Sequence, residues 1–110
     1  MNRDFDALAA DLDWTDLPED KCPVGPVNTG VAVLAETSFV DVGVWEHPRG
    51  TSTDVEADEV FVVIRGVGRV LLANGDVLEL RPGVVGVLSA GTTTTWIVDE
   101  PLRKVWVTPR

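Results

Sequence analysis

The residues best suited to chemistry crowd into one span of the chain. Glu46, Asp54, Glu56 and Asp58 fall close together, and His47, the only histidine, stands among them. Carboxylates with one imidazole could hold a hard cation, so this span is a candidate relocated metal site. Its segment "TDVEADE" equally reads as a solvated acidic loop, and His47 ahead of Pro48 as the end of a strand. Surface, packing and pocket-lining roles for His47 therefore stand beside the metal-binding one.

Other chemistries are poorly supplied. Cys22 is the single cysteine, which excludes an intramolecular disulfide and a cysteine-rich zinc site, and no histidine lies near it in sequence. The segment "GVGRV" at 66–70 lies between two apolar runs and does not open a helix, so it fails the context test for a nucleotide loop. Net charge is −9, from 18 acids against 9 bases, a field that repels phosphate backbones and anionic lipid. Neither nucleic acid nor a membrane is an expected partner. No apolar run approaches the roughly 20 residues of a membrane span. The first twenty residues lack the form of a secretory signal, so the expected location is cytoplasmic.

The elements that must carry these residues follow from pattern. At 45% hydrophobic and 25% charged residues, the 110-residue chain reads as one soluble domain. Residues 1–29 form an acidic arm and connector: Phe5, Leu8 and Leu12 predict a short helical stretch over 4–12, and "PEDKCPVGPVNTG" an extended linker. Residues 30–110 switch to short runs rich in valine, threonine and tryptophan bounded by turn residues, the mark of an all-β sandwich or barrel. Asn74-Gly75 predicts a type I′ hairpin turn between strands at 67–73 and 76–80. "VFVVI" at 60–64 is apolar at every position, so both faces should be covered, one by a second sheet and the other by a second copy of the chain in a homodimer.

Four segments in order, "GVWEHPRG", "DEVFVVIRGVGRVLLANGD", "LRPGVVGVLSAGTTTTWIV" and "EPLRKVWV", carry a resemblance. Residues 43–107 resemble the small single-domain cupins related to the cupin domain of ureidoglycine aminohydrolase. The resemblance implies a double-stranded β-helix, a jelly-roll-type barrel with a pocket at its mouth. In such proteins three histidines and a glutamate grip a divalent metal. Here Glu59 and Gly66 keep the glutamate-to-glycine spacing, but the first two histidine places fall on Thr53 and Val55, or on Ser52 and Asp54 under a longer spacing. The third falls on Thr94. Hydroxyls are poor metal ligands at neutral pH, so Glu59 alone would not retain a metal and no cofactor is expected.

If residues 53–63 run as one strand, alternation puts Thr53, Val55, Glu59, Phe61 and Val63 on the interior face, and Thr94 with Trp96 on another. The expected pocket is small and apolar, bordered by Thr53, Val55, Phe61, Thr94, Trp96 and His47, with Glu59 as its one charge. Glu59 is then a candidate general acid or base, unless Arg65, Arg69 or Arg103 pins it. The expected function is metal-independent binding of a small organic molecule. The alternatives are a metal-dependent, aminohydrolase-like enzyme with a rebuilt site and a non-catalytic dimeric accessory module.

Overall fold

A computed structural model describes residues 2–110. Eight strands account for most of it: β1 (Asp13–Asp16), β2 (Asn28–Glu36), β3 (Val40–His47), β4 (Gly50–Val55), β5 (Glu59–Leu72), β6 (Val77–Leu80), β7 (Val85–Leu88) and β8 (Thr93–Pro109), with one 3-10 turn at Glu19–Lys21. All pairings are antiparallel, in the order β1-β2-β3-β8-β5-β6, with β4 also on β8 and β7 also on β5. This is the expected all-β cupin barrel.

The two longest strands are its spine. Strand β5 pairs with β8 from Val60↔Val107 to Leu72↔Thr94, with register shifts near Arg65 and Val67. These irregularities bend both strands, so each serves two walls: one end of β8 pairs with β3, the other with β4. Gly66 sits at the bend with φ +92°, and a Cβ there would collide with the Pro101 carbonyl. Only glycine fits that crossing.

Alternation decides what faces in. Phe61, Val63, Val70, Leu80, Leu88, Trp96, Val98 and Leu102 form the buried core. The opposite side of the sheet carries two cross-strand rows of valine: Val42, Val107, Val60 and Val87, then Val44, Val105, Val62 and Val85. Val44 is fully covered, whereas Val60, Val85 and Val87 are exposed. The next row along is charged, Glu46, Arg103 and Arg65. Arg103 is buried here, donating from Nε to Glu46 (2.9 Å) and from Nη1 to the carbonyls of Ala7, Leu8 and Ala10 at 2.9–3.2 Å.

Two local expectations need correction. Residues 4–12 are not helical: Asp6 caps a single turn through the backbone N–H groups of Leu8 and Ala9, and Arg103 draws the following carbonyls outward. The turn at 73–76 is not type I′, because Asn74 keeps a negative φ and only Gly75 (φ +93°) is left-handed. Gly75 N–H donates to the Leu72 carbonyl, and Asn74 Oδ1 accepts from Asp76 N–H, which makes a wider hairpin.

Candidate functional site

The inner faces of β2, β3, β4, β5 and β8 surround a cleft of about 340 Å³. Trp45, Trp96 and Trp106 form its apolar walls, and Asp54, Glu56, Glu59, Lys21 and Lys104 its charged groups. Trp106 reaches its place by lying on Gly43, the residue paired with it across β3 and β8, where any Cβ would strike the indole.

Lys104 is the centre of the arrangement. Its Nζ donates to Glu59 Oε2 at 2.6 Å, with the two side chains 5% and 16% exposed. The same ammonium lies 4.6 Å from the Trp45 ring, 4.7 Å from Phe61 and 4.6 Å from Trp96. A buried cation loses its water, and a carboxylate together with three ring faces replaces part of that solvation. Residues 102–106 place Lys104 inward by simple alternation, with Arg103 and Val105 turned the other way.

The second charged group is built from the residue that follows β4 and from β8. Glu56 Oε2 accepts hydrogen bonds from Thr94 Oγ1 (2.6 Å) and Trp96 Nε1 (3.1 Å). At the rim, Lys21 Nζ donates to Asp54 Oδ1 at 2.9 Å, and that bond raises the Lys21 pKa above the usual lysine value. Behind the cleft, His47 is wholly buried. Burial pushes its pKa below the usual 6.5, the Pro48 carbonyl pulls it back up, and the nearby Lys104 charge lowers it again. In the neutral ring Nδ1–H donates to the Pro48 carbonyl (2.6 Å), and Nε2 accepts from Ser52 Oγ (2.8 Å).

The sequence-derived candidates scatter accordingly. Glu59, Thr53 and Trp96 border the cleft. Phe61 lies beneath the Lys104 ammonium, 2% exposed, and Thr94 lies one layer back, holding Glu56. Val55 is 64% exposed and faces away, because the chain leaves strand at 56–58 and β5 starts a new alternation on different neighbours. His47 packs against Trp45 (ring centroids 5.4 Å apart) and is not part of the cleft lining. The longer motif spacing is the one the fold uses: Ser52 pairs with Trp96 and Asp54 with Thr94. Glu59 is held by Lys104, not by Arg65, Arg69 or Arg103, which pair with Glu46, Asp99 and Glu46.

The four places at which a cupin would grip a metal are thus Ser52, Asp54, Glu59 and Thr94. Ser52 is bonded to the imidazole of His47, Asp54 to Lys21, Glu59 to Lys104 and Thr94 to Glu56. Two hydroxyls and two carboxylates, both carboxylates already on ammonium groups, do not fit a transition metal that wants imidazole or thiolate nitrogen and sulfur. The pocket expected from sequence lacked Lys104, Lys21, Trp45 and Trp106, and it held Glu56 only as one of the carboxylates near His47 and not as a cleft residue. The one usable signal for Glu56 was its place two residues beyond Asp54, in phase with Ser52.

Comparison with known proteins agrees with this architecture. The profile of the EutQ-like cupin domain family matches residues 34–106. Among solved structures, the chain is similar to the EutQ protein of Clostridium difficile (18% identity, TM-score 0.66), with 76% of this chain and 63% of that one aligned. The chain therefore spans less than two thirds of that relative's length. It is similar also to a putative ethanolamine utilization protein EutQ from Salmonella typhimurium LT2 (14% identity, TM-score 0.66; 88% and 94% covered) and to the polyketide cyclase RemF from Streptomyces resistomycificus (15% identity, TM-score 0.69; 99% and 80% covered). No curated protein sequence matches the chain significantly. At these identities the likeness is one of fold.

Proposed function

The chain belongs to the EutQ-like cupin domain family, and from that premise we propose that it is a metal-independent cupin that binds a small organic molecule in the tryptophan-walled cleft. One observation carries the proposal: the only carboxylate kept from the usual metal-binding set, Glu59, is already satisfied by the Lys104 ammonium at 2.6 Å. A lysine supplied by the chain takes the part of the cation. Glu59 then acts as the anchor of Lys104, and the walls of the cleft offer apolar area with a few fixed polar groups, as small-molecule sites do.

Incubating the purified chain with manganese, iron, nickel and zinc, followed by elemental analysis, tests this. Substoichiometric metal, unchanged in a Glu59→Gln variant, is expected. Stoichiometric metal that Glu59→Gln abolishes would overturn the proposal and favour a metal-dependent, aminohydrolase-like enzyme, whose water activation requires the ion.

The outward valine rows support a second copy as partner. Two copies of a chain of net charge −9 repel, least so when they meet across an uncharged face, and these rows carry no charge.

A further inference from the structure

We propose that the ligand of the cleft is a small organic monocation, its ammonium group set on Glu56 and its apolar part against Trp45 and Trp106. The inference rests on the binding role proposed above and adds the charge of what is bound.

Charge bookkeeping within the cleft leads to it. Three carboxylates and two ammonium groups line the space. Lys21 is committed to Asp54 at 2.9 Å and Lys104 to Glu59 at 2.6 Å. Glu56 has no basic group within 4.0 Å among the described residues and feels only the more distant charge of Lys21; its Oε2 is held by two neutral donors, Thr94 and Trp96. Those donors fix the direction of the carboxylate without cancelling its charge, and Oε1 takes no hydrogen bond from the described residues. One negative charge, that of Glu56, is therefore left without an ion-pair partner in the cleft.

Lys104 already occupies faces of Trp45 and Trp96 at 4.6 Å, so the remaining indole surface offers a ligand apolar area and the charge of the ligand is met by Glu56. An anion would enter a cleft whose paired charges cancel and whose remaining charge is negative. A neutral molecule would leave Glu56 unanswered. A volume of about 340 Å³ lies at the small end of ligand pockets, which run from roughly 300 to 1,000 Å³, so the cation must be small.

The test compares n-butylammonium, n-butanol and butyrate, three probes of similar shape and different charge, near pH 7.5. The readout is the ¹⁵N–¹H resonance of the Trp96 indole, whose N–H donates to Glu56. The expected result is saturable displacement by butylammonium with affinity at least about tenfold above that for the other two, as a charge-assisted hydrogen bond implies. Glu56→Gln, which keeps the shape and can still accept from Thr94 and Trp96, should melt as the unsubstituted chain does and lose that preference. Equal binding of all three probes, or a preference that survives Glu56→Gln, would overturn the charge assignment while leaving the cleft as a small-molecule site. Failure of every probe to perturb the Trp96 resonance would count against the cleft itself, and the cation proposal would fall with it.

Discussion

Lys104 and Glu59 stand 45 residues apart in sequence and 2.6 Å apart in space, joined in a nearly dry ion pair under three aromatic rings. Breaking such a pair from one side strands a charge, whereas removing both sides costs much less. Lys104→Met should destabilise the chain by about 3 kcal/mol, at the low end for buried pairs because Glu59 keeps some solvent. The double variant Lys104→Met/Glu59→Leu should recover most of that loss. Chemical denaturation of the four members of this cycle checks it, and additive losses would refute the coupling.

His47 makes stability depend on mild acid. Its folded pKa lies below the usual 6.5, so between the two values the unfolded chain binds the proton and the folded chain does not. Its contribution is therefore complete above about pH 6.5 and is lost as pH falls toward the folded value. Glu46 adds a second window lower down. Burial pushes Glu46 up, but hydrogen bonds from Arg65 and Arg103 outweigh it and hold the net pKa below 4.5, so that contribution is lost only as pH falls below 4.5. Melting curves from pH 7.5 to 5.5 should show a decline that His47→Gln largely removes.

Trp106 packs against Gly43, and a Cβ there would strike both the indole and the Ala32 carbonyl. Gly43→Ala should cost about 2 kcal/mol, the range for overpacking a filled core. Because Trp106 is also a wall of the cleft, the same substitution should shift tryptophan fluorescence in the folded state. An unchanged spectrum with unchanged stability would show that the ring has room to move.

The valine rows should make the chain dimeric at micromolar concentration. Sedimentation equilibrium should return twice the 11.9 kDa chain mass. Val60→Glu and Val87→Glu, at exposed positions on that face, should return the single-chain mass with little change in melting temperature. A monomeric unsubstituted chain would refute the pairing.

The barrel was legible because its strands are written in valine and threonine between turn residues, and alternation holds wherever a strand stays straight. Alternation failed at Val55, where the chain breaks at 56–58 and the phase restarts, a change that depends on which neighbours each strand finds. Strand β1 was missed because "DWTD" is exposed throughout and pairs on one side only, so nothing in its residue types distinguishes it from a loop. The Lys104 partner of Glu59 was hidden for a different reason. Their meeting depends on register across a sheet with several irregularities, and no local pattern encodes that sum.

The hold of Arg103 on the carbonyls of Ala7, Leu8 and Ala10 bears on the order in which the chain is made. That segment is fastened by a residue made more than 90 positions later, and β8, which completes three walls, follows the other seven strands in the chain. Until it does, β3, β4 and β5 each lack their widest neighbour, and their valine edges stand open on the ribosome. Closure of the barrel must then wait for β8, and it is slow for a domain of this size because its most extensive pairings, β5 with β8 and β3 with β8, are long in sequence.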